Sequence, residues 1–197
     1  MADSPVPDPA ALAREAAFAG ILQWGDPVLR SQASAVRAFD GDLAARVERM
    51  IAIMDRADGA GLAAPQVGDL SRFFIYRVSR GQPARALVNP VIERFSDDTV
   101  TGLEGCLSLG RAGVHVAVER ALGVTVRAQE LDGSEVVFDA EGMHARILQH
   151  ETDHLDGILM LQRTTAEQRR DATRALRDGL RWAPAVDPAD VAETIDE

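Results

Sequence analysis

The sequence predicts an α+β fold, with antiparallel sheets packed around a central helix that carries an HExxH metal-binding motif. Three observations point there. Leu148 to Gly157 reads LQHETDHLDG, and in a helix the four-residue step from His150 to His154 puts both imidazoles on one face, with Glu151 one position round. Ahead of it, short β-type runs follow one another with turn signals between them, as in hairpins, and not as in a parallel sheet with crossover helices. Two further stretches have the three- and four-residue apolar spacing or the capping signals of flanking helices.

The 197 residues suit one domain, expected over residues 20–182 between an N-terminal extension (1–19) and an acidic C-terminal tail (183–197). A content of 46% hydrophobic and only 5% aromatic residues describes an aliphatic core. The net charge of −10 argues against broad capture of nucleic acid or acidic lipid by the whole surface. The one cysteine, Cys106, cannot close an internal disulfide. The first residues lack the basic and apolar pattern of a secretory leader, and no apolar run approaches the ~20 residues that span a bilayer. A cytoplasmic protein is expected.

Met1 to Pro9, rich in proline and aspartate, should be loosely held, and Ala10 to Gly20 should form a short helix. Ile21 to Val36 (ILQWGDPVLRSQASAV) places Gly25, Asp26 and Pro27 between apolar positions and predicts an irregular entry to the domain. Asp42 is the expected cap of a helix in which Leu43, Val47, Met50, Ile51 and Met54 form one stripe, ending before Gly59. Gly59 to Gly68 (GAGLAAPQVG) suits neither helix nor strand. Its small residues let backbone approach another group closely, and Gln66 is its only long polar side chain. Without GKS or GKT it is not a phosphate loop.

Arg72 to Val78 and Arg85 to Phe95 read as strands, the second interrupted at Asn89 and Pro90 as at an edge or bulge. Gly113–Arg120, Gly123–Glu130 and Glu135–Asp139 continue the series, with Asp132 and Gly133 in a hairpin turn. Asp139 is the expected cap of the HETDH helix and Gly157 its stop. Thr164 or Thr165, each with a capping-box partner, starts a last helix that runs to about Trp182. Its Arg169, Arg170, Arg174, Arg177 and Arg181 read as a solvated face or, alternatively, as a surface for transient contact with the ribosome.

A His-x-x-x-His pair supplies two nitrogen ligands, and a catalytic site adds a third protein ligand while leaving a position for water or substrate. His115 falls in an expected strand, and His144 lies about 240° round the helix from His150, so neither joins the pair. Cys106, in EGCLS (Glu104–Ser108), is either a small buried hydrophobe or that third ligand, and beside the pair a Cys-His-His site is the economical reading. Glu151 diverges by about 100° from its neighbour His150, which suits proton transfer better than coordination.

GLAAPQ, EGCLS and QHETDHLDG, in this order and about forty residues apart, resemble the three motifs of the peptide deformylase family. The resemblance extends from ILQWGDPVLR through LVNP (Leu87 to Pro90) to GILMLQR (Gly157 to Arg163). It implies Cys106, His150 and His154 as metal ligands, Glu151 as general base, Gln66 and the backbone N–H of Leu107 as oxyanion donors, and Gly61 beside the substrate. It further implies removal of formate from N-formylmethionyl nascent polypeptides with one divalent metal ion, Fe²⁺ above all and Zn²⁺, Ni²⁺ or Co²⁺ as alternatives. No DNA or membrane partner is expected. In LSLGRAGVHVAVERA, Gly110 stands where the family commonly has proline, and Arg111 is the candidate for its substrate-binding arginine. Two other classes fit parts of the pattern. A zinc peptidase of the HExxH kind would lack the downstream HxxGxxH-type extension. A non-catalytic relative would leave Glu151, Gln66 and Cys106 together without a use.

Overall fold

The computed structural model describes residues 16, 18–110, 113–185 and 194–195. In chain order its elements are α1 (Gly41–Ala57), β1 (Gly61–Ala63), β2 (Phe73–Tyr76), β3 (Arg85–Phe95), β4 (Thr99–Glu104), β5 (Val116–Ala121), β6 (Gly123–Gln129), β7 (Glu135–Glu141), α2 (Gly142–Leu155), α3 (Ala166–Asp178) and β8 (Thr194–Ile195). They form an α+β structure with two sheets. One has the order β1-β2-β3-β6-β7 with every neighbour antiparallel, and the other the order β5-β4-β8, in which β8 runs parallel to β4.

The short run FFIY in β2 explains the layering. Side chains alternate across a strand, so Phe73 and Ile75 pack with the Leu43, Val47, Met50 and Met54 stripe of α1, while Phe74 and Tyr76 pack with Ala145, Ile147 and Leu148 of α2. All four β2 residues are buried, as expected of a strand covered on both faces. A third core gathers Cys106, Leu109, Val116 and Val118 against Met160, Leu161 and the Ala172 and Ala175 side of α3.

Several local expectations are corrected. Asp40, not Asp42, caps α1, its carboxylate accepting from the N–H groups of Asp42 and Leu43 at 3.0 and 3.2 Å. Asp42 falls in the first turn, where its charge suits the helix N-terminus. Gly59 to Gly68 contains an edge strand, β1, followed by a 3-10 turn over Ala64–Val67, because its small residues can pair with β2 without a side-chain penalty. Asp139 continues β7 and accepts a hydrogen bond from the Thr125 hydroxyl, and α2 begins at Gly142, whose φ of +58° makes the turn. The last helix starts after Thr165, whose hydroxyl accepts from Gln168 N–H, and stops at Asp178 before Gly179 in the left-handed region, short of Trp182.

Gly157 does follow the end of α2, with φ of +71° and no room for a side chain against the Arg30 carbonyl. The interruption in β3 is a bulge in an interior strand, with Asn89 at φ +52°. β4 has no counterpart in the strands read from the sequence. Most of the expected helix Ala10–Gly20 and the tail Met1–Pro9 lie outside the described residues, as does Arg111. Of the expected tail, Thr194 and Ile195 pair with Leu103 and Glu104.

Candidate active site

Helix α2 is buried at every position from Ala145 to Leu155, an unusual setting for the polar run QHETDH. Its four-residue step presents His150 Nε2 and His154 Nε2 3.2 Å apart. The residue after β4, Gly105, leads into Cys106, whose sulfur lies 3.3 Å from His154 Nε2. These three ligand atoms lie within 4.8 Å of one another, and all three residues are buried.

The donor set fits a tetrahedral metal. With bonds of ~2.05 Å to nitrogen and ~2.3 Å to sulfur, ligand atoms about such an ion lie about 3.3 to 3.6 Å apart. His154 is held well below the usual histidine pKa by burial first and then by the neighbouring His150 and Arg120, and a neutral imidazole is the form that coordinates. His150 Nδ1 lies 2.9 Å from Glu104 Oε2, which commits its proton to that carboxylate and leaves the Nε2 lone pair for the ion.

Glu104 is the centre of a charge network that the sequence reading did not assign. Arg120 donates to both of its oxygens at 2.9 Å, and Arg146 donates to Oε1 at 2.8 Å. Burial opposes its charge, but the bonds from His150 and Arg120 outweigh that and hold the carboxyl far below the usual range. Arg120 also reaches Asp153 at 2.6 Å, and Asp153 takes two further bonds from Arg163. Signals for these residues exist in the chain. Arg120 shares the inward face of β5 with Val116 and Val118, and Arg146 precedes His150 by one helical turn.

Glu151 is fully buried beside Gly61. A Cβ at Gly61 would come within 2.6 Å of Glu151 Cδ and closer still to Oε1, so glycine is required there for the carboxylate to occupy its place. Gln66, also fully buried, is oriented by Ala63 N–H, which donates to its Oε1 at 2.8 Å. Its Nε2 then points at Cys106 Sγ (3.6 Å) and Ser108 Oγ (3.2 Å). The loop at Leu107 is pinned through its carbonyl, which accepts from Gln23 Nε2 at 3.1 Å and from Gly110 N–H at 3.2 Å.

Of the other histidines, His144 is not part of the Cys106, His150 and His154 group and is stacked between Tyr76 and Phe138 with Nε2 3.1 Å from the tyrosine oxygen. His115 precedes β5, its backbone N–H bonded to the Trp182 carbonyl.

Fold and site together describe an α+β protein with a buried Cys-His-His group that could hold a metal ion and a buried carboxylate alongside, the makings of a metal-dependent hydrolase. Comparison with known proteins narrows this. The polypeptide deformylase family model matches residues 18–170. Peptide deformylase 1 of Corynebacterium glutamicum is 43% identical over 156 residues, covering 78% of this chain and 91% of its own. The crystal structure of peptide deformylase from Thermotoga maritima superposes with a TM-score of 0.70 at 43% identity, covering 74% of this chain and 96% of that one. That from Thermus thermophilus gives 0.75 at 40% identity, with 81% and 93% covered. The chain belongs to the polypeptide deformylase family and is an enzyme that removes the formyl group from the N-terminus of nascent proteins. The family is metal-dependent, and no helix among the described residues is long and apolar enough to cross a membrane.

Proposed function

We propose a cytoplasmic peptide deformylase in which residues 20–182 form the catalytic domain, 1–19 an N-terminal extension and 183–197 an acidic tail. In this reading α2 is the central helix, and its HETDH run is the metal-binding motif. Cys106, His150 and His154 hold one divalent ion, Fe²⁺ above all, with Zn²⁺, Ni²⁺ or Co²⁺ as alternatives. The thiolate and two imidazoles suit any of them. Bound there, the ion would lower the pKa of a water molecule towards about 7 and polarise the formyl carbonyl.

The chain's own groups do the rest. Glu151 takes the proton that the attacking water gives up and later delivers it to the departing methionine nitrogen as the C–N bond breaks. As the formyl carbon becomes tetrahedral its oxygen gains charge, and Gln66 Nε2 and the Leu107 backbone N–H donate to it. Loss of one such donor typically costs about 2.7–4 kcal/mol of transition-state stabilisation. Gly61 lines the substrate backbone, and Arg111 binds that backbone further along. The products are formate and a free N-terminal methionine. The arginines of α3 that the sequence singles out, Arg169, Arg170, Arg174 and Arg177, are all exposed and supply a surface for transient ribosome contact.

What supports this reading above all is the convergence of Cys106, His150 and His154, with Glu151 and Gln66 also buried there. The test is anaerobic purification, determination of bound metal, and assay of formyl-Met-Ala-Ser beside its acetylated and internal-peptide analogues. Formate release from the formyl peptide alone is expected. Cleavage of the internal peptide alone would replace the reading with a peptidase. Glu151→Ala should keep the metal and lose about 10²- to 10⁴-fold in kcat, and loss of the ion instead would reassign Glu151 as a ligand.

A further inference from the structure

Three consecutive residues of the entry segment hold the two stretches that carry the proposed oxyanion donors. Leu22 N–H donates to the Gln66 carbonyl at 2.7 Å, and Trp24 N–H donates to the Ser108 carbonyl at 2.8 Å. Between them, Gln23 Nε2 donates to the Leu107 carbonyl and to the Ile21 carbonyl, both at 3.1 Å. We infer that Leu22, Gln23 and Trp24 form a clamp that sets the distance between the Gln66 amide and the Leu107 N–H, with Gln23 as a positioning residue for deformylation. The inference rests on the reading of those two groups as oxyanion donors.

Gln23 controls the Leu107 N–H without touching it. Peptide units are planar, so once the carbonyl and the side chain of a residue are held, the direction of its N–H is left to one dihedral. The Leu107 side chain is fully buried in the core with Leu43, Met50 and Met54, and a Cβ at Gly59 would come within 2.9 Å of its Cδ1. Its carbonyl is held by Gln23 Nε2 and by Gly110 N–H at 3.2 Å. Among the described residues the Leu107 N–H has no acceptor, which leaves it for substrate. Both amide hydrogens of Gln23 are committed, one within its own segment and one across to the turn, so the side chain ties the two together. Trp24 packs against the Cys106 and Leu109 cluster. Phe18 closes the far end of the turn, where a Cβ at Gly110 would meet its ring at 2.8 Å. Donors stabilise developing charge only where they are aimed, and a displacement of about 1 Å can cost ~10²-fold in rate.

The test is Gln23→Glu in the full-length, metal-loaded protein. An ionised carboxylate keeps the shape of the amide but has no hydrogen to give the carbonyls that face it, whereas a protonated carboxyl donates again. With formyl-Met-Ala-Ser at about pH 7.5, kcat should fall about ten- to a hundredfold, with KM within about twofold of the parent and metal content unchanged, because the donors act on charge that exists only in the transition state. Between about pH 7.5 and 5.5 the deficit relative to the parent should shrink as the introduced carboxyl takes up its proton, which the two carbonyl oxygens favour. A residue that only supports the fold would not recover on acidification. Gln23→Leu, which lacks both donor and charge, should show the same loss of kcat at constant KM and metal content, and decides the matter if the first variant does not fold. Unchanged kcat, an effect on KM alone, loss of the ion, or a Gln23→Glu deficit that is independent of pH overturns the inference. If the parent itself releases no formate, the deformylase reading falls and the inference with it. An active parent beside an equally active variant overturns the inference alone.

Discussion

Gly61 and Glu151 illustrate how one residue type acts through another. The carboxylate fills the space a side chain would need, so Gly61→Ala forces either β1 or Glu151 to shift. Because a displacement of about 1 Å can cost ~10²-fold in rate, kcat should fall by roughly that factor while metal content stays intact. A variant as active as the parent would show the carboxylate to be free to move. His144 makes a different prediction. Burial, and then the nearby Arg85, hold it below the ordinary histidine value of 6.5. The folded protein therefore binds that proton less readily than the unfolded chain. Its contribution to stability is complete above the unfolded pKa, declines as pH falls, and is gone once pH has passed the folded pKa. In urea titrations from about pH 7.5 to 5.5, the parent should lose more stability than His144→Phe. Parallel curves would remove His144 as the titrating group.

At the scale of elements, β3 depends on a single asparagine to cross its bulge. Asn89 holds φ of +52°, its Oδ1 accepts from Val36 N–H at 2.8 Å, and its Nδ2 donates to the Val36 carbonyl at 2.9 Å and to Gln129 Oε1 at 2.7 Å. Asn89→Ala should cost about 2–4 kcal/mol, through three lost hydrogen bonds and a left-handed backbone that alanine disfavours. Asn89→Gly relieves only the backbone part and should recover about 1–2 kcal/mol of that. Denaturant unfolding of the two variants checks the split, and equal losses would locate the whole effect in the hydrogen bonds.

For the molecule as a whole, the proposed metal site draws two sheets onto α2, since Cys106 follows β4 while Gly61 and Gln66 belong to β1 and the turn after it. An ion that binds only the folded state stabilises it by about 4 kcal/mol at a thousand times its Kd. For a chain of this size each kcal/mol moves Tm by ~2–4 °C, so chelation should lower Tm by on the order of 10 °C. Cys106→Ala should already lie at the lower Tm and not respond to chelator. A chelator-insensitive Tm in the parent would argue against an ion held by these three residues.

Much of this was legible in the chain because it is local. The HETDH step, the EGCLS and GLAAPQ segments, the α1 stripe and the stop at Gly157 each need only a few neighbouring residues to fix their meaning. Cap positions were misread by a few residues because aspartates at 40 and 42, or a strand end at 139, compete for the same role and only backbone geometry chooses between them. β4 escaped notice because Gly102 and the charged Glu104 break its apolar pattern. Glu104 itself is intelligible only when β4, β5 and α2 meet, since its charge is tolerable at full burial only with Arg120, Arg146 and His150 around it. The sequence by itself therefore determined the class of chemistry and the residues proposed as ligands and base, because each motif is a short run of diagnostic residue types and the three occur together in one order. The tertiary structure alone decided what holds the ligands in place and what braces the turn at Leu107 beside them, because both depend on charges and backbones brought together from distant parts of the chain.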